Sequence, residues 1–342
     1  MTRFAVRPAR ESDNEALVEL DRKCTMGEQT TLAFVRAPDF FARSKPYEQH
    51  TLVVAESDGA IVGVGGLALK RLRVGGELLK GAYFYDLRVD PAFRRVGVAS
   101  AIGDALRDLV KQGEADVTYS LVLEGNVPSL QLAAKRGARP VRRCAVAMLA
   151  PAEAAGTGRL RPLEARDLDR VAFLLEKSYA RHDLIPPRDV TALHRLLKRT
   201  PGLSLRTWYG LERGGDLAAC FGLWDYSSVM RMRVHRKRPP SGAQPPWPFQ
   251  EGDVAPHFLL PLAFRTPALL AKSIQEARRL LNDRHQDSIS PALLIPYDPH
   301  DPAFVGLGAI ERVEFGIQLF ARPIRMDVTL GERPFYLDPI DL

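Results

Sequence analysis

Residues 83–100 constrain the fold more than any other segment, because they join a strand to a helix through a glycine turn. The sequence there is YFYDLRVDPAFRRVGVAS. Its first seven residues are rich in aromatic side chains and favour an extended strand, which Asp90 and Pro91 end. From Ala101 to Val110 the apolar residues recur with helical spacing. The turn therefore lies at a helix N-terminus.

The turn itself reads R-x-x-G-x-A, from Arg94 to Ala99. Unpaired backbone N–H groups and the positive end of the helix dipole favour an anion at such a helix start. Gly97 keeps side chains away from the anion, and Arg94 and Arg95 can add charge-assisted hydrogen bonds to a pyrophosphate. The alternative is an ordinary connection with solvated arginines. We favour phosphate binding because strand, turn and helix follow one another in the required order.

These residues resemble the cofactor motif of the GNAT superfamily of N-acetyltransferases, in which an [RQ]-x-x-G-x-[GA] turn after the fourth strand holds acetyl-CoA. The resemblance covers roughly residues 1–150. A capping box at Ser12 to Glu15 predicts the first helix. Further strands and glycine-turn hairpins complete the pattern. They are expected at Arg3–Arg7, at Thr51–Glu56 and Ala60–Leu69 around Asp58-Gly59, in a second hairpin at Gly75-Gly76, and at Val117–Leu123.

A second motif of this superfamily, N-x-x-A-x-x-L-Y-x-x-x-G-F, is similar to the segment that begins at Asn126 and ends before Gly137. In the superfamily the tyrosine is often the acid that protonates the leaving CoA thiolate. This chain has Ala133 at that position and Ala138 in place of the phenylalanine. The resemblance therefore predicts a cofactor helix without the usual acid.

The resemblance implies that an amine attacks the thioester of acetyl-CoA where the fourth and fifth strands separate. It assigns cofactor binding to Leu87, Arg88, Val89, Arg94, Arg95, Val96, Gly97, Val98, Ala99, Ser100, Asn126 and Ser129. Asp86 and Glu124 are the candidate bases, and each is also readable as a surface or hydrogen-bonding carboxylate. Tyr83, Tyr85 and Tyr119 are the phenols best placed by strand position to act as the acid, although core tyrosines are common. A water chain can replace the base, and a thiolate with a pKa near 8.5 can leave with little help.

The second half repeats the pattern of the first. Leu160 to Leu168 parallels Val6 to Asn14, and Leu203–Glu212, Leu217–Trp224 and His257–Phe264 are predicted strands. After Phe264 the chain enters a helix without a glycine turn, so a second CoA site is not expected. We predict a GNAT acetyl-CoA-binding domain at 1–150, a linker at 151–158 and a degenerate GNAT-like domain with a C-terminal extension at 159–342. The second domain either completes the acceptor pocket or only supports the fold.

Composition sets the remaining limits. The 342 residues are 46% hydrophobic and 26% charged, which is ordinary for a globular protein of two domains. No stretch is apolar enough for a membrane helix or a leader, which predicts a cytoplasmic protein without a membrane partner.

Cys24, Cys144 and Cys220 are too scattered for a metal site or a disulfide framework. The net charge of +7 fits a phosphate-bearing ligand. The basic run from Arg231 to Arg238 is predicted to be a solvated loop, and nucleic acid is not the expected partner.

We therefore expect an α/β (α+β) fold of two GNAT-like domains, each a mixed, mainly antiparallel sheet flanked by helices. The expected activity is transfer of an acetyl group from acetyl-CoA to a small-molecule amine or a protein amino group. The alternative is a non-catalytic acyl-CoA-binding or sensing protein. Acidic groups around the thioester are expected to attract the amine. The sequence does not identify the acceptor, the acyl-chain length or the oligomeric state.

Overall fold

A computed structural model describes residues 4–25, 30–153, 160–236, 252–283, 289–325 and 329–342. Within these residues, fourteen strands form one continuous sheet. The strands are β1 (Ala5–Pro8), β2 (Thr30–Val35), β3 (Gln49–Ser57), β4 (Ala60–Val74), β5 (Glu77–Val89), β6 (Val117–Leu123), β7 (Arg139–Leu149), β8 (Leu160–Pro162), β9 (Trp208–Arg213), β10 (Asp216–Asp225), β11 (Arg231–Arg236), β12 (Gly252–Phe264), β13 (Ser290–Tyr297) and β14 (Val313–Pro323). The helices are α1 (Asn14–Lys23), α2 (Val98–Gln112), α3 (Val127–Lys135), α4 (Leu168–Ser178), α5 (Val190–Arg199) and α6 (Pro267–Asn282).

The two halves of the chain exchange strands at the middle of this sheet. The main strand order is β1-β3-β4-β5-β6-β14-β7-β13-β12-β10-β9-β8. Strand β14 of the second half thus lies between β6 and β7 of the first, while β7 pairs with β13 of the second half. Only the pairs β5–β6 and β12–β13 are parallel among the described strands. The expected fold class of two mixed, mainly antiparallel GNAT-like units is confirmed, but the sheet runs across the boundary between them.

Two apolar cores lie on the sheet. The smaller core packs α2 against β3, β4 and β5 through residues such as Ile102, Leu106 and Ala55. The larger core is shared by both halves and includes Met148 of β7, Leu294 of β13 and Leu319 of β14. Because one core draws on both halves, the strand exchange is stabilised by apolar burial as well as by backbone pairing. The domain boundaries remain a prediction, and residues 154–158 of the expected linker lie outside the described residues.

The internal repeat predicted from the sequence has a counterpart in hydrogen bonds. In the first half, Arg7 lies 2.8 Å from a carboxylate oxygen of Asp13 and 2.8 Å from Glu56. In the second half, Arg161 lies 2.7 Å from Asp167 and 3.1 Å from Glu212. Each arginine stands on the first strand of its half and fixes the start of the first helix. The capping box predicted at Ser12 to Glu15 is wrong, because Asp13 accepts the backbone N–H of Arg10, three residues earlier.

Replacing Asp167 by asparagine is expected to lower the free energy of unfolding at pH 7 by roughly 1 to 2 kcal/mol. The hydrogen bond from Arg161 holds the pKa of Asp167 at about 2, below its unfolded value of 3.8. Because the folded pKa is depressed, this stabilisation is complete above pH 4 and is lost as pH falls through about 2. Urea unfolding should therefore show a difference between wild type and Asp167→Asn that shrinks between pH 4 and pH 2. A difference independent of pH would contradict this assignment.

The sequence missed three strands. Strand β13 is a short, largely apolar run, and β2 pairs with β11 in an antiparallel ladder from Thr30 to Val35. The basic residues from Arg231 to Arg236 form β11 and pair with both β2 and β12, so the predicted loop is wrong there. Lys237, Arg238 and the proline-rich stretch 239–248 lie outside the described residues. In the region predicted as a strand from Leu203, a 3-10 turn precedes β9. None of the described helices is long and apolar enough to cross a membrane.

Candidate active site

Strands β5 and β6 separate part-way along the sheet. Their parallel pairing runs from Gly81 and Val117 only as far as Phe84 and Ser120. Beyond that point β5 carries a bulge, at which Asp86 adopts a left-handed backbone with φ of 53°. A bulge bends a strand and increases its twist, so the end of β5 turns away from β6. The gap leaves backbone groups of β5 facing a cavity rather than a neighbouring strand.

A cavity of about 740 Å³ fills and extends this gap. From the first half it is lined by residues of β5, β6, α2, α3 and β7, including Leu87, Leu123 and Met148. From the second half it receives Tyr226, Met230 and residues of β11, β12, β13 and β14, such as Met232, Phe258, Leu294 and Ile317. Both halves of the chain therefore form the walls of one largely apolar cavity.

The predicted phosphate turn lies at the surface beside this cavity. Gly97 has φ of 97°, which side chains rarely tolerate, and an added Cβ there would meet no atom within 4 Å. Helix α2 begins at Val98, immediately after this glycine. Arg94 donates through Nε to the carbonyl of Val89 at 3.3 Å, and Arg95 is exposed. The space beside Gly97 is therefore open, as an anion site at a helix start requires.

Helix α3 forms the other wall of the expected cofactor site. The side chain of Asn126 caps this helix by accepting the N–H of Ser129 at 3.3 Å. Both residues line the cavity, as do Ala133 and Arg136. Arg136 donates to the carbonyl of Ser100 and to Asp104 at 3.0 Å, so it ties α3 to the first turn of α2. Ala133, which stands where the superfamily often has tyrosine, contributes only a methyl group to the wall.

Three arginines and two aspartates form a buried guanidinium cluster beside the gap: Arg36, Arg43, Arg88, Asp21 and Asp86. Arg36 lies 2.8 Å from Asp86, and Arg43 lies 3.6 Å from it. Burial on its own raises the pKa of Asp86, but Arg36, Arg43 and Arg88 outweigh burial and hold that pKa below its ordinary value. A carboxylate with a depressed pKa is a weak proton acceptor. Asp86 is therefore better suited to anchoring arginines than to acting as the base.

Asp341 supplies a second carboxylate on the cavity wall. It accepts hydrogen bonds from Lys70 at 2.6 Å and from Tyr119 at 2.7 Å. Tyr83 donates to its backbone carbonyl, and the ring of Tyr83 stacks on that of Tyr119 at 4.9 Å. Burial raises the pKa of Asp341, although Lys70 acts in the opposite direction. This carboxylate has the stronger basicity of the two.

The model of the acetyltransferase (GNAT) family matches residues 14–138. Residues 14–138 are a GNAT domain. No curated protein matches the chain significantly in sequence. The fold of the whole chain is similar to that of Saccharomyces cerevisiae N-myristoyltransferase with bound myristoyl-CoA, with a TM-score of 0.66, 12% identity and coverage of 98% of this chain and 84% of that chain. It is also similar to a GCN5-related N-acetyltransferase from Sphaerobacter thermophilus, with a TM-score of 0.61, 14% identity and coverage of 96% and 98%.

The cofactor residues expected in the GNAT domain fall into two groups. Leu87, Arg88, Asn126 and Ser129 line the cavity. None of the turn residues lines it: Arg94, Arg95, Val96 and Gly97 are exposed, Ala99 and Ser100 are half-buried, Val98 is buried in the smaller core, and the carbonyl of Val89 accepts from Arg94. The structure thus places the end of β5 and the start of α3 at the cavity, and Arg136 ties the end of α3 to Ser100 in the first turn of α2.

The catalytic candidates of the GNAT domain differ in their access to the cavity. Glu124 is not one of its lining residues, and its carboxylate pairs with Arg143 at 2.7 Å. Tyr119 is buried behind the wall, whereas Tyr85 lines the cavity and shares a hydrogen bond of 2.9 Å with Ser44. Burial raises the pKa of Tyr83, Tyr85 and Tyr119. Raised pKa values keep these phenols protonated and make them weak acids.

Sequence reasoning missed Arg36, Arg43, Lys70 and Asp341. Arg36 follows a strand that the sequence did not reveal, and its partner Asp86 is 50 residues away. Asp341 is 222 residues from Tyr119 and 271 residues from Lys70. No local pattern connects such residues. The one local signal for Asp341 is its position between two apolar residues, Ile340 and Leu342.

Proposed function

We propose that this protein is an acyl-CoA-dependent N-acyltransferase that transfers an acetyl group from acetyl-CoA to an amine. The observation that carries the proposal is the cavity at the separation of β5 and β6, whose walls come from both halves and include α2, the helix that the predicted phosphate turn opens. No observation favours the non-catalytic alternative. The family and the fold support acyl transfer from a CoA thioester. The acetyl group and the amine acceptor are proposed in addition.

In this mechanism, CoA binds along the end of β5. The pyrophosphate meets the first amides of α2 and Arg94 and Arg95, and the pantetheine arm runs past Leu87 and Arg88 in the manner of an added strand. The unpaired β5 backbone supplies an N–H to the thioester oxygen, where negative charge develops. Holding amine and thioester together in a closed cavity supplies the main acceleration.

The proton of the attacking amine needs an acceptor. We assign this role to Asp341, whose raised pKa and cavity position suit it better than Asp86 or Glu124. Lys70 and Tyr119 hold this carboxylate in place. Of the tyrosines predicted from the sequence, Tyr83 and Tyr85 line the cavity and are the candidate acids, although the thiolate of CoA is a good leaving group without one.

CoA should bind at one site per chain. In the second half, the helix equivalent to α2 is α6, which starts with Thr266 and Pro267. The Thr266 hydroxyl already accepts the N–H of Leu269 at 3.4 Å, and no glycine lets a phosphate approach. A calorimetric stoichiometry of two would contradict this part of the proposal.

Replacing Gly97 by aspartate is expected to weaken CoA binding at least 100-fold, because it places a carboxylate at the anion site. Calorimetric titration with CoA measures the effect. The matched control is Gly59→Asp in the β3–β4 turn, where φ is also positive, 78°, and the space is also open. Both variants place an added carboxylate at a residue with positive φ. An equal loss of affinity in the two variants would contradict the assignment of the turn.

The acyl chain is tested by comparing acetyl-, butanoyl-, octanoyl- and myristoyl-CoA as donors in thiol release. Acetyl-CoA is expected to give the highest kcat/KM. The cavity volume of about 740 Å³ also has room for longer chains. A maximum at octanoyl- or myristoyl-CoA would overturn the acetyl assignment while leaving N-acyl transfer intact.

A further inference from the structure

The guanidinium cluster carries more positive than negative charge. Three arginines, Arg36, Arg43 and Arg88, face two carboxylates, Asp21 and Asp86. All five side chains are at least nine-tenths buried. An unbalanced buried cation is costly unless a counterion is present, so the cluster is one anion short.

Nε of Arg36 and Nε of Arg43 have no hydrogen-bond partner, but Arg88 has the most donors to spare. Its Nε lies 2.8 Å from Asp21, but without hydrogen-bond geometry, and its Nη2 is 3.9 Å from Asp86. Among the described residues it makes no side-chain hydrogen bond. Arg36, by contrast, donates to Asp86 at 2.8 Å, and Arg43 donates to two backbone carbonyls at 2.7 and 2.9 Å. A guanidinium can hold a carboxylate with two parallel hydrogen bonds.

The anion that would balance this cluster must lie in the cavity, on the face of β5 opposite to α2. Arg36, Arg43, Asp86 and Arg88 all line it. On β5, Leu87 packs with the core under α2, where the phosphate turn lies, whereas Asp86 interacts with the opposite face. Arg88 pairs with Asp21 and its guanidinium lies 5.9 Å from the ring of Phe34, also away from α2. The phosphates of CoA are therefore on the wrong face to neutralise this cluster.

We propose that the acceptor is an amine that also carries a carboxylate, and that Arg88 with Arg36 binds this carboxylate. This inference rests on the proposed function and names its substrate class. Two residues along a strand span about 6.6 Å, so Arg88 lies within one small molecule of the bulge where β5 leaves β6. The α-amino acids are the simplest amines that carry a carboxylate, and they are the class to test. The apolar wall of Met230, Met232 and Phe258 favours an apolar side chain on it.

The cavity differs from the acidic pocket expected from the sequence. The carboxylates of the cavity, Asp86 and Asp341, are already paired with arginines and with Lys70. They therefore offer little attraction to a free cation. The spare charge on this face is positive, and it selects a substrate by its anionic group.

The first test compares acceptors that differ only in the anionic group. Leucine, methionine and phenylalanine are each assayed with their amides, using acetyl-CoA, thiol release and mass detection of the product. Rates are normalised to the concentration of unprotonated amine, since the amides have lower amine pKa values. Wild type should favour the acids at least tenfold in kcat/KM. Equal or faster acylation of the amides overturns the carboxylate assignment and leaves N-acyl transfer established.

The second test replaces Arg88 by glutamine, which keeps length and hydrogen bonding but removes the charge. The preference for acid over amide should fall to near one, mainly through a higher KM for the acids. The control Arg265→Gln removes an exposed arginine that pairs with Asp216 and does not line the cavity, and it should keep the preference. A preference that survives Arg88→Gln contradicts the role of this residue.

A binding measurement separates this inference from the proposed function. N-acetylphenylalanine and its amide, which have no free amine, are titrated into the wild-type protein in the presence of CoA. The acid should bind at least tenfold more tightly, whether or not the protein catalyses transfer. Binding of the acid without thiol release from any amine would sink the enzyme proposal alone. Equal binding of the two, or no binding of either, contradicts the carboxylate site, even if Arg88→Gln fails to fold.

Discussion

Replacing Asp341 by asparagine is expected to lower kcat at least 100-fold while leaving CoA affinity within about threefold of wild type. The carboxylate lines the cavity and its pKa is raised by burial, so it is the basic group available to the attacking amine. In wild type the rate should fall as pH falls through the raised pKa of Asp341, because protonation removes the base. That acidic limb should disappear in the variant. Steady-state kinetics between pH 4 and pH 9 measure both effects.

The matched control for this variant is Asp338→Asn. Asp338 is equally buried, lies three residues away and pairs with Arg188 at 2.7 Å, yet it does not line the cavity. Each substitution leaves a buried cation without its carboxylate, so both should destabilise the fold by roughly 3 kcal/mol. Thermal melts then report the shared structural effect. If Asp338→Asn lowers kcat as much as Asp341→Asn, the carboxylate of Asp341 has a structural role only.

Ending the chain at Ala150 is expected to abolish acyl transfer and to leave a protein that aggregates. Such a chain lacks β14, which pairs with β6 through seven residue pairs from Val117 to Leu123. Strand β7 would lose both of its neighbours, and Asp341 would be absent. The exposed apolar core and free strand edges explain the aggregation. Size-exclusion chromatography and the thiol-release assay measure the outcome.

Co-expression of residues 1–153 and 160–342 as two chains is the control for this truncation. Because the strand exchange and the shared core hold the halves together, the two chains should copurify and recover at least a tenth of the wild-type kcat. A monomeric 1–150 chain that binds CoA and acylates the same acceptor with unchanged efficiency would show that the second half is only a structural support.

The sequence predicts the fold best where local chemistry decides it. The hairpin at Asp58-Gly59 forms as expected, with both residues at positive φ, and β6 has the predicted bounds Val117–Leu123. Gly97 stands at the start of α2 with the left-handed backbone that the R-x-x-G-x-A turn requires. These features depend on a few adjacent residues, so a single sequence reveals them.

The sequence could not predict the features made by distant residues. The insertion of β14 between β6 and β7 joins Ala321 to Tyr119, across half the chain. Strand β13 was missed because a short apolar run has no diagnostic period. The sequence predicts negative charge in the cavity, because Asp86 stands in the recognisable motif of β5. Its partners Arg36 and Arg43 lie in segments without a recognisable pattern. The neutralisation of a carboxylate is a property of the packed fold.

Amine-dependent release of thiol, measured together with the acylated amine by mass spectrometry, tests the central claim most directly. Wild type with acetyl-CoA and a panel of amines should give one thiol for each N-acetylated product, with no comparable release when the amine is omitted. Gly97→Asp should lose this activity at sub-saturating CoA and Gly59→Asp should keep it. Tight binding of one CoA without amine-dependent thiol release from any member of the panel would contradict the account.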